Sequence, residues 1–186
     1  MTIMVPVKQG QDIVVQIAKN FKDIDLNPAK LKKLVKAVCS RFKLSKATVS
    51  IAIVGDAEIR KLNKQFLNRN CPTDCLSFDL SDDADTSAIS DLRIPIENRK
   101  LFELVVNAEM AVKEASLRGH SSEAELALYI THSLLHNLGF DDSQQAKAKK
   151  MHQTEDEILQ QLGFRLVYNK KSKQSIADSG YKKTMR

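Results

Sequence analysis

The sequence has no apolar run long enough to cross a membrane. Its longest, such as Ile13 to Val15 and Ala47 to Gly55, fall far short of the roughly 20 residues a bilayer requires. It also lacks a basic segment followed by an apolar stretch near its start, so neither a membrane span nor an export signal is expected. Cysteine is scarce. Cys39, Cys71 and Cys75 are odd in number and none are spaced as a zinc C-x-x-C pair, which argues against a disulfide framework and fits a reduced, cytoplasmic setting. All three are read as buried or incidental thiols. No internal repeat is present.

What is there suits one soluble domain. The chain has 186 residues, of which 42% are apolar and 28% charged, enough for a hydrophobic core with an ordinary polar surface. The net charge of +6 suggests an anionic partner until its location is considered. From Arg165 onward there are seven Lys or Arg against the single acid Asp178, so the remainder is balanced at 22 basic and 22 acidic residues. The expected organisation is therefore a folded domain over 1–164 and a basic tail with little fixed structure over 165–186. Such a tail can hold a phosphate backbone by releasing counterions, or it can simply be solvated surface.

Hydrophobic periodicity predicts the elements. Ile13, Val15 and Ile17 alternate, as in a strand with one buried face. Asn27 offers a capping oxygen, Pro28 suits the first helical position, and Leu31, Leu34, Val35, Val38 and Phe42 recur at helical spacing. Val49, Ile51 and Ile53 form a second strand, leading through Gly55 and Asp56 to a helix carrying Ile59, Leu62 and Phe66. A third strand, Cys75 to Leu80, runs into a polar stretch from Ser81 to Ser90 that reads as a loop. Leu92, Ile94 and Ile96 suggest a fourth strand, and Leu101, Leu104, Val105, Ala108, Val112 and Ala115 predict one helix over about 98–117. Ser122 and Glu125 have capping-box spacing for a helix that continues to Leu138 and is closed by Gly139. A last helix, from about Ser143 to Leu162, presents Met151, Glu155, Ile158, Leu159 and Leu162.

The chemistry lies in the stretch from His132 to Asp142. Four helical residues turn a side chain by roughly 400°, so His132 and His136 lie on one face, one turn apart, and both imidazoles can reach one ion. Asp142 follows three residues after Gly139, where a reversing loop can return its carboxylate to the same ion. Two imidazoles and a carboxylate are the three-ligand set of catalytic zinc, with a fourth position left for water. A metal there would bring the pKa of its water towards roughly 7 and polarise a phosphoryl or carbonyl oxygen. Paired histidines at this spacing also occur as hydrogen-bonded core residues, and spacing alone leaves that reading open. The metalloprotease signature needs Glu directly after the first histidine, whereas this chain has Ser133. His120 and His152 are read as surface residues.

Several further segments agree with one pattern. Leu62-Asn63, Phe66, Pro72-Thr73-Asp74, Leu76-Ser77-Phe78, Asp91 and Glu125-Leu126 precede His132, Leu135, His136, Gly139 and Asp142, with Met151, Glu155, Ile158 and Leu159 beyond. In this conjunction, over about residues 47–164, the chain resembles the YbeY family of metal-dependent endoribonucleases. The resemblance implies a single α+β domain with a mixed four-stranded sheet, about five helices and a metal site at the end of a central helix. It further implies Zn2+ or another divalent transition metal, no organic cofactor, cleavage of single-stranded RNA, and a role in ribosomal RNA maturation and ribosome quality control beside the small ribosomal subunit.

Three departures from the family pattern bear on the site. Asp142 stands where the family usually has a third His; a carboxylate can still ligate zinc, though its charge weakens the ion as a Lewis acid. Ser133 replaces a glycine with another small residue. Leu67 replaces an Arg suited to stabilising phosphate charge, a role Arg69 two residues on can take over. Glu125, two turns before His132 on the same face, is a candidate general base, a partner behind the ligands, or simply a capping residue. Two rival functions remain open at this point: a metal-stabilised ribosome-associated binding protein with weak or lost cleavage, and a zinc hydrolase acting on another bond.

Overall fold

A computed structural model describes residues 12–81 and 99–164. The elements run β1 (Asp12–Lys19), α1 (Pro28–Arg41), β2 (Lys46–Val54), α2 (Asp56–Leu67), β3 (Cys75–Asp79), β4 (Lys100–Asn107), α3 (Ala108–Arg118), α4 (Ser122–Asn137) and α5 (Gln145–Gln161). The four strands form one mixed sheet in the order β1-β2-β4-β3: β1 and β4 run parallel to β2, while β3 pairs antiparallel with β4. The expected α+β domain is what the chain forms.

The local causes are legible. The Asn27 side chain accepts hydrogen bonds from the Ala29 and Lys30 amides, and Pro28 opens α1 where no amide donor is needed. In β2, Ala47, Val49, Ile51 and Ile53 point to one face and join Phe102, Leu104 and Val106 of β4 in the main core. Against that face pack α1 through Leu31, Leu34, Val35 and Val38 and α4 through Leu126, Ile130, Leu134 and Leu135, while α5 packs on α4 and α1 and adds Met151, Ile158 and Leu159 to the same core. Each fully buried Leu or Ile contributes about 1.5–3 kcal/mol relative to exposure. The opposite face is covered more thinly, by α2, where Ile59 meets Val54, Leu76 and Val105.

One element departs from expectation. The helix predicted over about 98–117 is in fact strand β4 followed by α3. β4 is central, so Phe102, Leu104 and Val106 are buried on one face and Val105 on the other. A strand covered on both sides loses its alternation and reads as a continuous apolar run, which helical spacing also fits. Asn107 marks the change: its side chain caps α3 by accepting from the Met110 amide at 3.0 Å. The strand expected at Leu92 to Ile96, most of the polar loop, Asp91 and the basic tail lie outside the described residues. Among those described, no helix is long and apolar enough to cross a membrane.

Candidate metal centre

Helix α4 carries the two histidines. Its cap is Ser121, one residue earlier than expected, whose hydroxyl accepts from the Ala124 amide at 3.2 Å. Nearly every other face of α4 is buried, which fixes its rotation and leaves His132 and His136 half-buried at its C-terminal end. The reversal expected at Gly139 is present: its φ is 86°, the Gly139 amide bonds to the His136 carbonyl at 2.9 Å, and the Phe140 amide bonds to the Leu135 carbonyl at 2.9 Å. This closure also serves the site. It brings the Phe140 carbonyl to 3.1 Å from His136 Nδ1.

His132 is held from another helix. Its Nδ1 lies 2.7 Å from Oε1 of Glu155 on α5, and Oε2 of the same carboxylate lies 3.0 Å from His152 Nδ1. Glu155 is 1% exposed, so a buried carboxylate orients one imidazole and is itself held by a second. His152, expected at the surface, is partly exposed there and also holds this buried acid. Burial opposes ionisation of Glu155, but hydrogen bonds from His132 and His152 outweigh it and hold the carboxyl below its ordinary range.

The two rings stand nearly perpendicular, at 88°, with their Nε2 atoms 3.0 Å apart. Both Nδ1 atoms face oxygens that can only accept, the Glu155 carboxylate and the Phe140 carbonyl, so both carry hydrogen. In the neutral rings each Nε2 is then a bare lone pair aimed at the other. Such an arrangement calls for positive charge between them, either a cation or an extra proton. Burial disfavours a proton on His132, but Glu155, Asp74 and Asp142 outweigh it and raise its pKa above the ordinary value. One carboxylate oxygen of Asp142 completes a group whose ligand atoms all lie within 4.8 Å of one another. Two nitrogens on a tetrahedral zinc would sit about 3.4 Å apart, so the histidine spacing is close to what such an ion requires. The donor set fits a divalent transition metal.

The surroundings divide the work. The neighbouring Asp141 is occupied elsewhere: it accepts from the Ser143 amide and hydroxyl, both at 2.8 Å, and from Lys147 Nζ at 2.9 Å, which leads the chain into α5. Asp142 makes no hydrogen bond to any described residue. Asp74, from the Pro72-Thr73-Asp74 segment, comes near enough to His132 to favour its charged form. That segment is tied down by buried Asn107, whose side-chain amide donates to the Thr73 carbonyl at 2.9 Å and whose backbone amide donates to the Asp74 carbonyl at 2.8 Å. Ser133 is fully buried, with its hydroxyl donating to the Tyr129 carbonyl at 2.8 Å. Of the thiols, Cys39 is buried, Cys71 exposed and Cys75 intermediate.

Glu125 and Arg69 are not brought into this group. Glu125 lies seven residues, about 10 Å, before His132 along α4. Its carboxylate is fully buried, with Arg118 Nη1 3.0 Å from one oxygen and His120 Nε2 2.5 Å from the other. It neither touches the metal group nor forms the capping box, and His120, like His152, serves a buried acid. Arg69 follows α2 and is exposed; its guanidinium makes no hydrogen bond or ion pair to a described residue. Sequence reasoning missed the role of Glu155, although an acid on the apolar stripe of Met151, Ile158 and Leu159 was its signal.

With this geometry in place, comparison with known proteins is decisive. A sequence profile of the family described as endoribonuclease YbeY matches residues 16–163. The chain belongs to the YbeY family. An endoribonuclease YbeY of Caldicellulosiruptor bescii is 31% identical over 154 residues, which span 82% of this chain and 98% of that one. A YbeY of Syntrophomonas wolfei is 33% identical over 154 residues, covering 82% of this chain and 94% of its own. A solution structure from Thermotoga maritima shows 20% identity and a TM-score of 0.48 over 91% of this chain and 99% of that one.

Proposed function

We propose that this chain is a metal-dependent endoribonuclease that hydrolyses phosphodiester bonds in single-stranded RNA. In this reading it works in the cytoplasm on ribosomal RNA, in its maturation and in quality control, beside the small ribosomal subunit. The observation that carries the reading is the convergence of His132, His136 and Asp142 with both imidazole Nδ1 atoms anchored, so that only Nε2 lone pairs face the gap. Membership of a family described as endoribonuclease supports the choice of RNA. Zinc, or another divalent transition metal, would be held by these three residues, and when bound it supplies hydroxide near neutral pH and polarises the phosphoryl oxygen. The protein's own part is orientation. Glu155 and the Phe140 carbonyl fix the ring planes, and exposed Arg69 is available to hold phosphate in place of the guanidinium lost at Leu67. The basic residues of 165–186 would add sequence-independent hold on the RNA backbone.

A second reading, a metal-stabilised ribosome-associated binding protein with weak or lost cleavage, is favoured by Leu67, which is 54% exposed and cannot stabilise phosphate charge, and by Asp142, whose charge would weaken the ion as a Lewis acid. One paired experiment decides between them. Bound metal is measured in the purified protein, and cleavage of ribosomal RNA is compared with that of His136→Ala. The nuclease reading expects metal in the wild type and loss of both metal and cleavage in the variant. Metal without any cleavage sensitive to the substitution would favour the binding protein, and turnover of an acyl or amide substrate with RNA untouched would overturn both.

A further inference from the structure

Helix α2 ends in a surface that its own packing does not explain. Ile59, Leu62 and Asn63 turn towards the sheet, and Phe66, seven residues after Ile59, returns to nearly the same bearing. A side chain on that stripe should be covered, yet Phe66 is 53% exposed and Leu67 beside it is also open. The Phe66 ring meets Phe78 of β3 edge to face, with centroids 5.0 Å apart, and Phe78 in turn packs on the small cluster around Ile59 and Leu76. This gives an aromatic surface open to solvent.

The charges around it have one sign on the helix side. From Ile59 to Thr73 there is no acid, while Arg60, Lys61, Lys64 and Arg69 are all exposed. The exposed acid beside it on the same sheet face is Glu103, opposite Phe78 in register, with Asp12 at the far edge on β1. The surface also borders the metal group. β3 is an edge strand among the described residues, and the Phe78 carbonyl accepts from Asn137 Nδ2 at 3.5 Å, next in sequence to His136. Phe78's ring lies on the α2 side of β3 and the histidines on the α4 side, so the thickness of one edge strand separates the two features.

An open aromatic face at the end of a helix whose last two turns and following loop carry only cations is what an unpaired nucleobase with flanking phosphates recognises, since every base has a face to stack and every linkage a charge to neutralise. A duplex buries those faces in its own stack. We propose that Phe66 is a stacking platform for an unpaired base of the substrate strand within a nucleotide or two of the cut, with Arg69 just beyond the helix and the cations on the outer face of α2 drawing in its backbone. This rests on the ribonuclease reading and gives that reading a physical source of single-strand preference.

The test uses the full chain in chelator, so that the strand stays intact, and follows the fluorescence anisotropy of a labelled single-stranded RNA, its duplex, and the same strand with abasic positions. Phe66→Ala is expected to weaken single-strand binding about tenfold, as loss of one base–aromatic stack does, and to leave duplex binding unchanged. Phe66→Trp should restore binding, exposed Leu117→Ala should have no effect, and the abasic strand should bind the wild type as weakly as the intact strand binds Phe66→Ala. Equal binding by wild type and Phe66→Ala, or equal losses for single strand and duplex, would overturn the platform and leave the face to another partner. Cleavage measured separately with metal keeps the two claims apart. Cleavage that requires His136 alongside an inert Phe66 sinks the platform alone, whereas a Phe66-dependent single-strand grip without cleavage sinks the nuclease reading alone.

Discussion

Two glutamates, Glu125 on α4 and Glu155 on α5, are built alike and employed differently. Each is essentially fully buried, and each divides its two oxygens between a histidine and one other donor. For Glu125 the other donor is Arg118, which stays charged at every accessible pH, so the pair is a permanent brace between α3 and α4. For Glu155 both donors are imidazoles, and one of them turns its remaining nitrogen towards His136 and Asp142. A buried acid thus becomes part of a site according to what its partner faces, not by being buried.

The comparison is sharpened first by Glu155→Gln. Losing the carboxylate behind His132 leaves the ring less basic and less firmly oriented, and metal affinity is expected to fall about 10–100-fold. Competition with a zinc indicator measures this, and an unchanged affinity would mean that Glu155 is no more than another brace. Next in size is Glu125→Gln, which weakens the hold on half-buried His120 and on Arg118. Because Arg118 is partly exposed, the loss is discounted to about 2 kcal/mol, read from urea unfolding, with zinc affinity within twofold of wild type. A large drop in metal binding there would join the two acids into one network and refute the division.

The smallest effect is on pH dependence. Glu155 lies below its ordinary 4.5, so its contribution to stability is present above that value and lost as pH falls through the folded one. His132 lies above its ordinary 6.5, so its contribution is present below that value and lost as pH rises through the folded one. In metal-stripped protein both hold together between 4.5 and 6.5. The difference in Tm between wild type and Glu155→Gln, about a few degrees, should be greatest in that window and shrink on either side. A difference that stays flat from pH 4 to pH 8 would contradict the ionised pair.

How much of this was legible depended on sequence distance. The shared face of His132 and His136 follows from helical geometry, and the reversal at Gly139 from the one residue that adopts positive φ without strain, so the candidate ligands could be named before any fold was known. Glu155 is 23 residues from His132 on a different helix, and only the packing of α5 on α4 joins them. The contacts of His120 and of partly exposed His152 escape the sequence for the same reason: their partners become buried only when the helices assemble. Strand β4 was misread because burial on both faces erased the alternation that marks strands at the sheet's margin. Glu125 misled in the opposite sense, since its spacing from His132 suggested a shared role while Arg118 and His120 had claimed it.

The central claim, that His132, His136 and Asp142 form one cation site, is tested most directly by titrating zinc calorimetrically into metal-stripped wild type, Asp142→Ala and the double variant His132→Ala/His136→Ala. One ion per chain is expected in the wild type, affinity at least about tenfold weaker without Asp142, and no specific binding without the histidines. Equal binding by all three proteins, or none by the wild type, would contradict it.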